Sequence, residues 1–430
     1  WTCTASEGFT GESGNSTAAL TVKANTTVTV KFYQPEITGT AGSTTAWSDF
    51  LRMVKDAPAG ATLTISGTIQ ATNDAGNSGE IIIEKNLTIK GKTGAASDIL
   101  DANSSGTNHP ATTHRIFKVE NGKTLTLENL TLTGGKAINS DENGNGGGIL
   151  VKSSTLKMTN CTLKGSTAGT DNTGGSGGGI CVLKTGNTAS SVTIKGCTIQ
   201  DNRAENNGGG IYIGGGCTVT LENNDQNKGC TVQGNKARYN GGRVFVDKST
   251  ATFTMKGSSV ITPSSEVNTP SQKFNDVFLH GESLDSAKIT VDSSLSPAGG
   301  IAARITPEQY TAGTQVLNGS AVGTEYGKFK VTPKDLGGGI TQEGTIDSDG
   351  KLQISAKVPY DKWVDYLNEH GSDSGINHIE ITGTIPQSGF HSGGWGWQST
   401  GELQEKIKAV QPKKIALTLP ENLTGITTME

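Results

Sequence analysis

The sequence predicts an all-β fold, a parallel β-solenoid, on three observations. A glycine-led motif recurs at near-constant spacing, each recurrence carries three short runs of alternating apolar and polar residues, and 60 of the 430 residues are glycine. The motif reads Gly146-Gly147-Gly148-Ile149, Gly177-Gly178-Gly179-Ile180 and Gly208-Gly209-Gly210-Ile211, with a degenerate copy at Gly241-Gly242-Arg243-Val244. Ile149, Ile180, Ile211, Val244 and Val277 follow one another at 31, 31, 33 and 33 residues. A period in this range marks a stacked repeat architecture.

Within a repeat the second run is Leu125-Thr-Leu127, Leu156-Lys-Met158, Val192-Thr-Ile194 or Val219-Thr-Leu221. The third is Leu130-Thr-Leu132, Cys161-Thr-Leu163, Cys197-Thr-Ile199 or Cys230-Thr-Val232. Alternation of period two describes strands with one buried face. Three such strands cannot bury that face alone; stacking coil on coil at about 4.8 Å does so. The glycines then supply turns of positive φ between strands. Gly91-Lys92-Thr93 and Gly122-Lys123-Thr124 do not make phosphate loops, because Asn86 and Phe117 stand where the upstream glycine is needed.

Four units follow along the chain. Residues 1–35, with Leu20-Thr-Val22 and Val28-Thr-Val30, read as the last strands of a truncated β-repeat module. Residues 36–300 form the solenoid. Trp47, Phe50, Leu51 and Val54 lie at helical spacing, which predicts a capping helix near 46–56 over the open end. Residues 301–357 are expected to close the solenoid with further β-structure, ending in a hairpin around Asp349-Gly350 rather than a calcium loop. Residues 358–430 begin a second small α/β module: Trp363, Asp365, Tyr366 and Leu367 repeat Trp47, Asp49, Phe50 and Leu51 at an offset of 316. Its stripe Leu403, Ile407 and Val410 is helical, and Ile415-Ala-Leu417-Thr-Leu419-Pro420-Glu-Asn-Leu423 resembles one turn of the leucine-rich repeats of bacterial surface proteins.

The GGGI runs with Cys197-Thr-Ile-Gln-Asp-Asn202 and Cys230-Thr-Val-Gln-Gly-Asn235 resemble the repeats of polymorphic outer-membrane proteins, over roughly residues 60–300. That resemblance implies a right-handed, pectate-lyase-like β-helix, and an exported protein of the bacterial cell surface or outer membrane with an adhesin-like role.

Composition narrows the function. The net charge is −4 and charged residues make up 18%, which sets nucleic acid aside as a partner. No apolar run approaches the length of a membrane helix. The start, Trp1-Thr-Cys3-Thr4, lacks a basic stretch followed by an apolar one and reads as a mature chain or a piece of a longer one. The Thr-, Ser- and Asn-rich composition fits an exported protein. The expected function is therefore non-enzymatic, with a host or matrix protein or a polysaccharide as partner and no cofactor. The alternative is a calcium-dependent polysaccharide lyase.

Candidate residues fall into four groups. If Ile149 and its equivalents point inward, then Leu150, Cys181, Tyr212, Phe245 and Phe278 point outward as an apolar stripe. That stripe is either a contact strip for a partner or covered by a loop or by residues 301–357. Trp395 and Trp397 offer a carbohydrate platform, or pack against a helix. Cys161, Cys197 and Cys230 share one phase and read as buried free thiols, while Asn202 and Asn235 read as a turn-stabilising amide ladder. For the lyase alternative the best acids and bases are Asp201, Arg203, Glu205 and Lys236, whose plainer reading is a solvated turn.

Overall fold

The computed structural model describes residues 2–3, 30–31, 35–106, 111–138, 144–170, 174–264, 276–282, 285–371, 376–382, 406–407, 409–410 and 413–419. It is mostly β, with long parallel sheets in a β-helix-like arrangement. One repeat shows the rule. The chain runs through Ile149–Lys152, Thr155–Thr159, Thr162–Lys164 and Thr167–Ala168, one strand in each of four sheets, then returns to the first at Ile180–Leu183. Every strand pairs in parallel, without slippage, with its equivalent one repeat on: Ile149 with Ile180, Leu156 with Val192, Leu163 with Ile199. The inward residues of the first three sheets merge into one core in which Ile149, Val151, Leu156, Met158 and Leu163 are wholly buried.

The first coil is built differently. Thr62–Gln70 is a single strand serving two sheets: Thr62–Ile65 pairs with Thr88–Gly91, and Thr68–Gln70 pairs with Ile99–Asp101. The bend falls at Gly67, whose φ of 74° suits glycine. Against this strand packs the helix Ala46–Asp56, within a residue of its expected span, burying Trp47 and Phe50 completely. Its first turn is capped from a distance: Asn77 Oδ1 accepts from the Trp47 and Ser48 amides, both at 3.0 Å.

Two expected boundaries shift. Parallel stacking does not stop near residue 300; Ala303–Pro307, Leu317–Asn318 and Phe329–Val331 add further rungs. Residue 358 falls inside a strand, Leu352–Pro359, which links an antiparallel neighbour (Ile340–Ile346) to a parallel one (Ile376–Thr382) in a five-stranded sheet. Around that sheet and the helix Trp363–His370 lies a second core with Val358, Trp363, Leu367 and Ile379. The Asp349-Gly350 turn is a hairpin: Asp347 Oδ1 accepts from the Asp349 and Lys351 amides, and Ile346 faces Leu352. Trp395, Trp397, Leu403 and the segment after Leu419 lie outside the described residues.

Candidate binding surface

The fourth ladder joins Lys136–Ala137, Thr167–Ala168, Arg203–Ala204 and Lys236–Ala237, and the sequence reading missed it. Strands of two residues show no alternation. The signal that could have found it is alanine at 137, 168, 204 and 237, of which Ala168, Ala204 and Ala237 form their own small core. The glycine runs pass against this ladder. A side chain at Gly178 would meet the Arg203 carbonyl carbon at 2.5 Å, and one at Gly177 would lie 2.7 Å from the Cys181 Cβ. The runs also bond to one another coil by coil, with the Gly147 amide donating to the Gly177 carbonyl and the Gly178 amide to that of Gly208. Glycine is therefore demanded by close backbone approach as well as by the turn.

That packing corrects the outward stripe. Leu150 and Cys181 are wholly buried, and Phe245 and Phe278 are 4% and 7% exposed, so none of the four offers a contact strip. Tyr212 is half-buried. Its ring stacks on Phe245 at 5.3 Å and Phe245 on Phe278 at 5.4 Å, within 7° of parallel. Spacing and tilt both follow from in-register strands, and the flat faces that could receive a sugar are spent on one another.

What reaches solvent is the polar rim beside the stack, one column over. The Tyr212 hydroxyl donates to Asp247 Oδ2 at 3.2 Å, and His280 Nδ1 lies 2.7 Å from Asp247 Oδ1. His280 Nε2 lies 3.4 Å from Glu308 Oε2, which accepts from the Gly281 amide at 3.0 Å. Burial, then the Asp247 charge, raises the Tyr212 phenol far above its ordinary range and keeps it a neutral donor. The Asp247 and His280 side chains are 18% and 33% exposed and that of Glu308 is 40%. Two carboxylates, an imidazole and a phenol in a line can exchange hydrogen bonds with a hydroxyl-rich or amide-rich ligand. Asp247 and His280 each stand two residues after an aromatic of the stripe, a regularity visible in the sequence once the strand phase is known.

The remaining candidates are structural. Cys161, Cys197 and Cys230 are buried and unbridged, and the Cys161 amide lies 3.2 Å from Cys197 Sγ. Burial pushes the Cys230 thiol up to about 12. Asn202 and Asn235 are buried at the turns after the third strands. Asn235 Oδ1 accepts from Asn202 Nδ2 at 2.9 Å, and Asn235 Nδ2 donates to the Ile199 carbonyl at 2.9 Å. Arg203 and Lys236 are neighbours on the fourth ladder, Glu205 is 5% exposed beneath Arg203 at 2.7 Å, and Asp201 is exposed at the preceding corner.

No protein-family model matches the chain, and no curated protein matches it. Among solved structures, the crystal structure of Escherichia coli YbhC is similar at 9% identity and a TM-score of 0.32, over 68% of this chain and 77% of that one.

Proposed function

We propose that this is an exported protein of the bacterial cell surface whose right-handed, pectate-lyase-like β-helix holds out a rigid adhesive face and carries out no chemistry on its partner. The observation that carries this reading is the half-exposed rim of Tyr212, Asp247, His280 and Glu308, fixed on a stack of coils. Hydrogen-bonding groups held this firmly lose little entropy on binding, which favours recognition of a glycan or a matrix protein. The lyase alternative has less support. Of its four residues, Arg203 is tied to Glu205, and the acids and bases sit on a ridge beside the fourth ladder.

Binding to a glycan array and to a panel of matrix proteins tests the reading. Asp247→Asn with Glu308→Gln is expected to weaken the captured partner at least about a hundredfold, as the loss of two hydrogen bonds to charged acceptors should, in a variant whose cooperative melting shows that it folds. Calcium-dependent release of unsaturated, ultraviolet-absorbing products from uronate polymers would overturn it in favour of the lyase.

A further inference from the structure

A cavity of about 440 Å³ lies at the first coils, between residues 73–80 and 111–115. That volume falls in the ~300–1,000 Å³ range of small-molecule pockets. Its lining includes Asn73, Ser78, Glu80, Thr113, His114 and Arg115. Arg115 is 6% exposed. Its guanidinium donates through Nη1 to Glu80 Oε2, which cancels its charge, and through Nη2 to the Asn145 carbonyl at 3.2 Å. The remaining nitrogen, Nε, is buried with no acceptor among the described residues. His114 leans on Trp47, with ring centres 5.3 Å apart, and its Nδ1 lies 2.8 Å from the Arg115 carbonyl. A carbonyl only accepts, so Nδ1 carries the hydrogen and Nε2 presents a lone pair. Burial holds the His114 pKa below the ordinary imidazole value, which keeps the ring in this neutral form at pH 7. Nε2 is buried too, with no donor among the described residues.

Two consecutive residues thus bring to one cavity a donor without an acceptor and an acceptor without a donor, each costly while unmet. We infer that the cavity binds a small neutral molecule with adjacent hydroxyls, a free monosaccharide or polyol. A hydroxyl both gives and takes a hydrogen bond. One of an adjacent pair accepts from Arg115 Nε, and its neighbour donates to His114 Nε2. Asn73, Ser78 and Thr113 supply further polar groups from the rest of the lining. An anion is disfavoured, because Glu80 already pairs the guanidinium and the Nε2 lone pair repels negative charge. Since His114 packs on Trp47 of the first helix, an occupied cavity also steadies that helix. The inference goes beyond the adhesive reading and does not rest on it.

The test is saturation-transfer NMR on the whole chain, with glucose, galactose, mannose, myo-inositol and glycerol as neutral probes and glucuronate and galacturonate as charged counterparts. At least one neutral probe should bind saturably, and the matching uronate roughly tenfold more weakly. In hydrogen exchange that probe should slow the amides of residues 111–115 and of the helix Ala46–Asp56. His114→Phe keeps a ring against Trp47 but removes Nε2, and should weaken binding about tenfold. Thr113→Trp, at an exposed position of the lining, fills the cavity and should abolish binding at an unchanged melting temperature, so the test stands even where His114→Phe does not fold. The rim variant Asp247→Asn, Glu308→Gln should bind the probe like wild type, which separates this site from the adhesive rim. No saturable binding of any neutral probe, a uronate bound as tightly as its neutral counterpart, exchange slowed elsewhere but not at 111–115, or unaltered binding by Thr113→Trp overturns the inference.

Discussion

Asp276 shows how a residue can be placed against its own solvation. It is fully buried, accepts from the Ser264 amide at 3.0 Å, and has Arg243 and Arg304 nitrogens at only 3.6 and 3.9 Å. Its second oxygen, Oδ2, has no hydrogen-bond donor. Burial outweighs the two cations and raises the carboxyl to about 6. The folded state thus holds this proton more tightly than the unfolded chain. The stability it contributes is full below the unfolded value near 3.8 and is lost as pH rises through about 6. The loss is at most about 3 kcal/mol. Asp276→Asn should reduce the fall in urea midpoint between pH 4.5 and pH 7 relative to wild type. An identical fall in both proteins would refute this account.

Single elements carry the ends of the stack. The helix Ala46–Asp56 packs on Thr62–Gln70, which pairs further out only with the short strand Glu36–Gly39, and on Ile81–Ile83, the end strand of its sheet, with Trp47 Nε1 donating to the Gly79 carbonyl at 2.9 Å. Trp47→Ala removes a fully buried indole and should cost about 3–5 kcal/mol. Unpaired strands exposed by a loosened helix invite edge-to-edge association. The variant is therefore expected to show a lower denaturation midpoint together with oligomers in light scattering. A monomeric variant of wild-type stability would show that the helix is dispensable.

At the scale of the whole molecule the described residues form two large cores, one running through the coils and one around the sheet that begins at Lys334, beside the small alanine core of the fourth ladder. Each coil interacts chiefly with its neighbours, so damage at one end should stay there. Trp363→Ala, at a wholly buried position of the second core, should expose amides of Ile340–Ile346 and Leu352–Pro359 to hydrogen exchange while those of Ile149–Lys152 and Ile180–Leu183 keep their protection. Loss of protection throughout would show one cooperative unit.

The sequence by itself determined the strand phases, the inward columns and the first helix, because each rests on a local period that the residues carry within a few positions of themselves. Ile149, Ile180 and Ile211 align by their spacing alone, and the alternation around them fixed which neighbours face outward. Tertiary structure decided what outward means. Leu150 and Phe245 point away from the core and are still buried, because glycine backbone and stacked rings close over them. The rim of Asp247, His280 and Glu308 gathers residues 33 and 28 positions apart, and the pairing of Arg203 with Lys236 depends on a ladder whose strands are too short to show a period. Burial and convergence are properties of neighbouring coils, and no single stretch of chain encodes them.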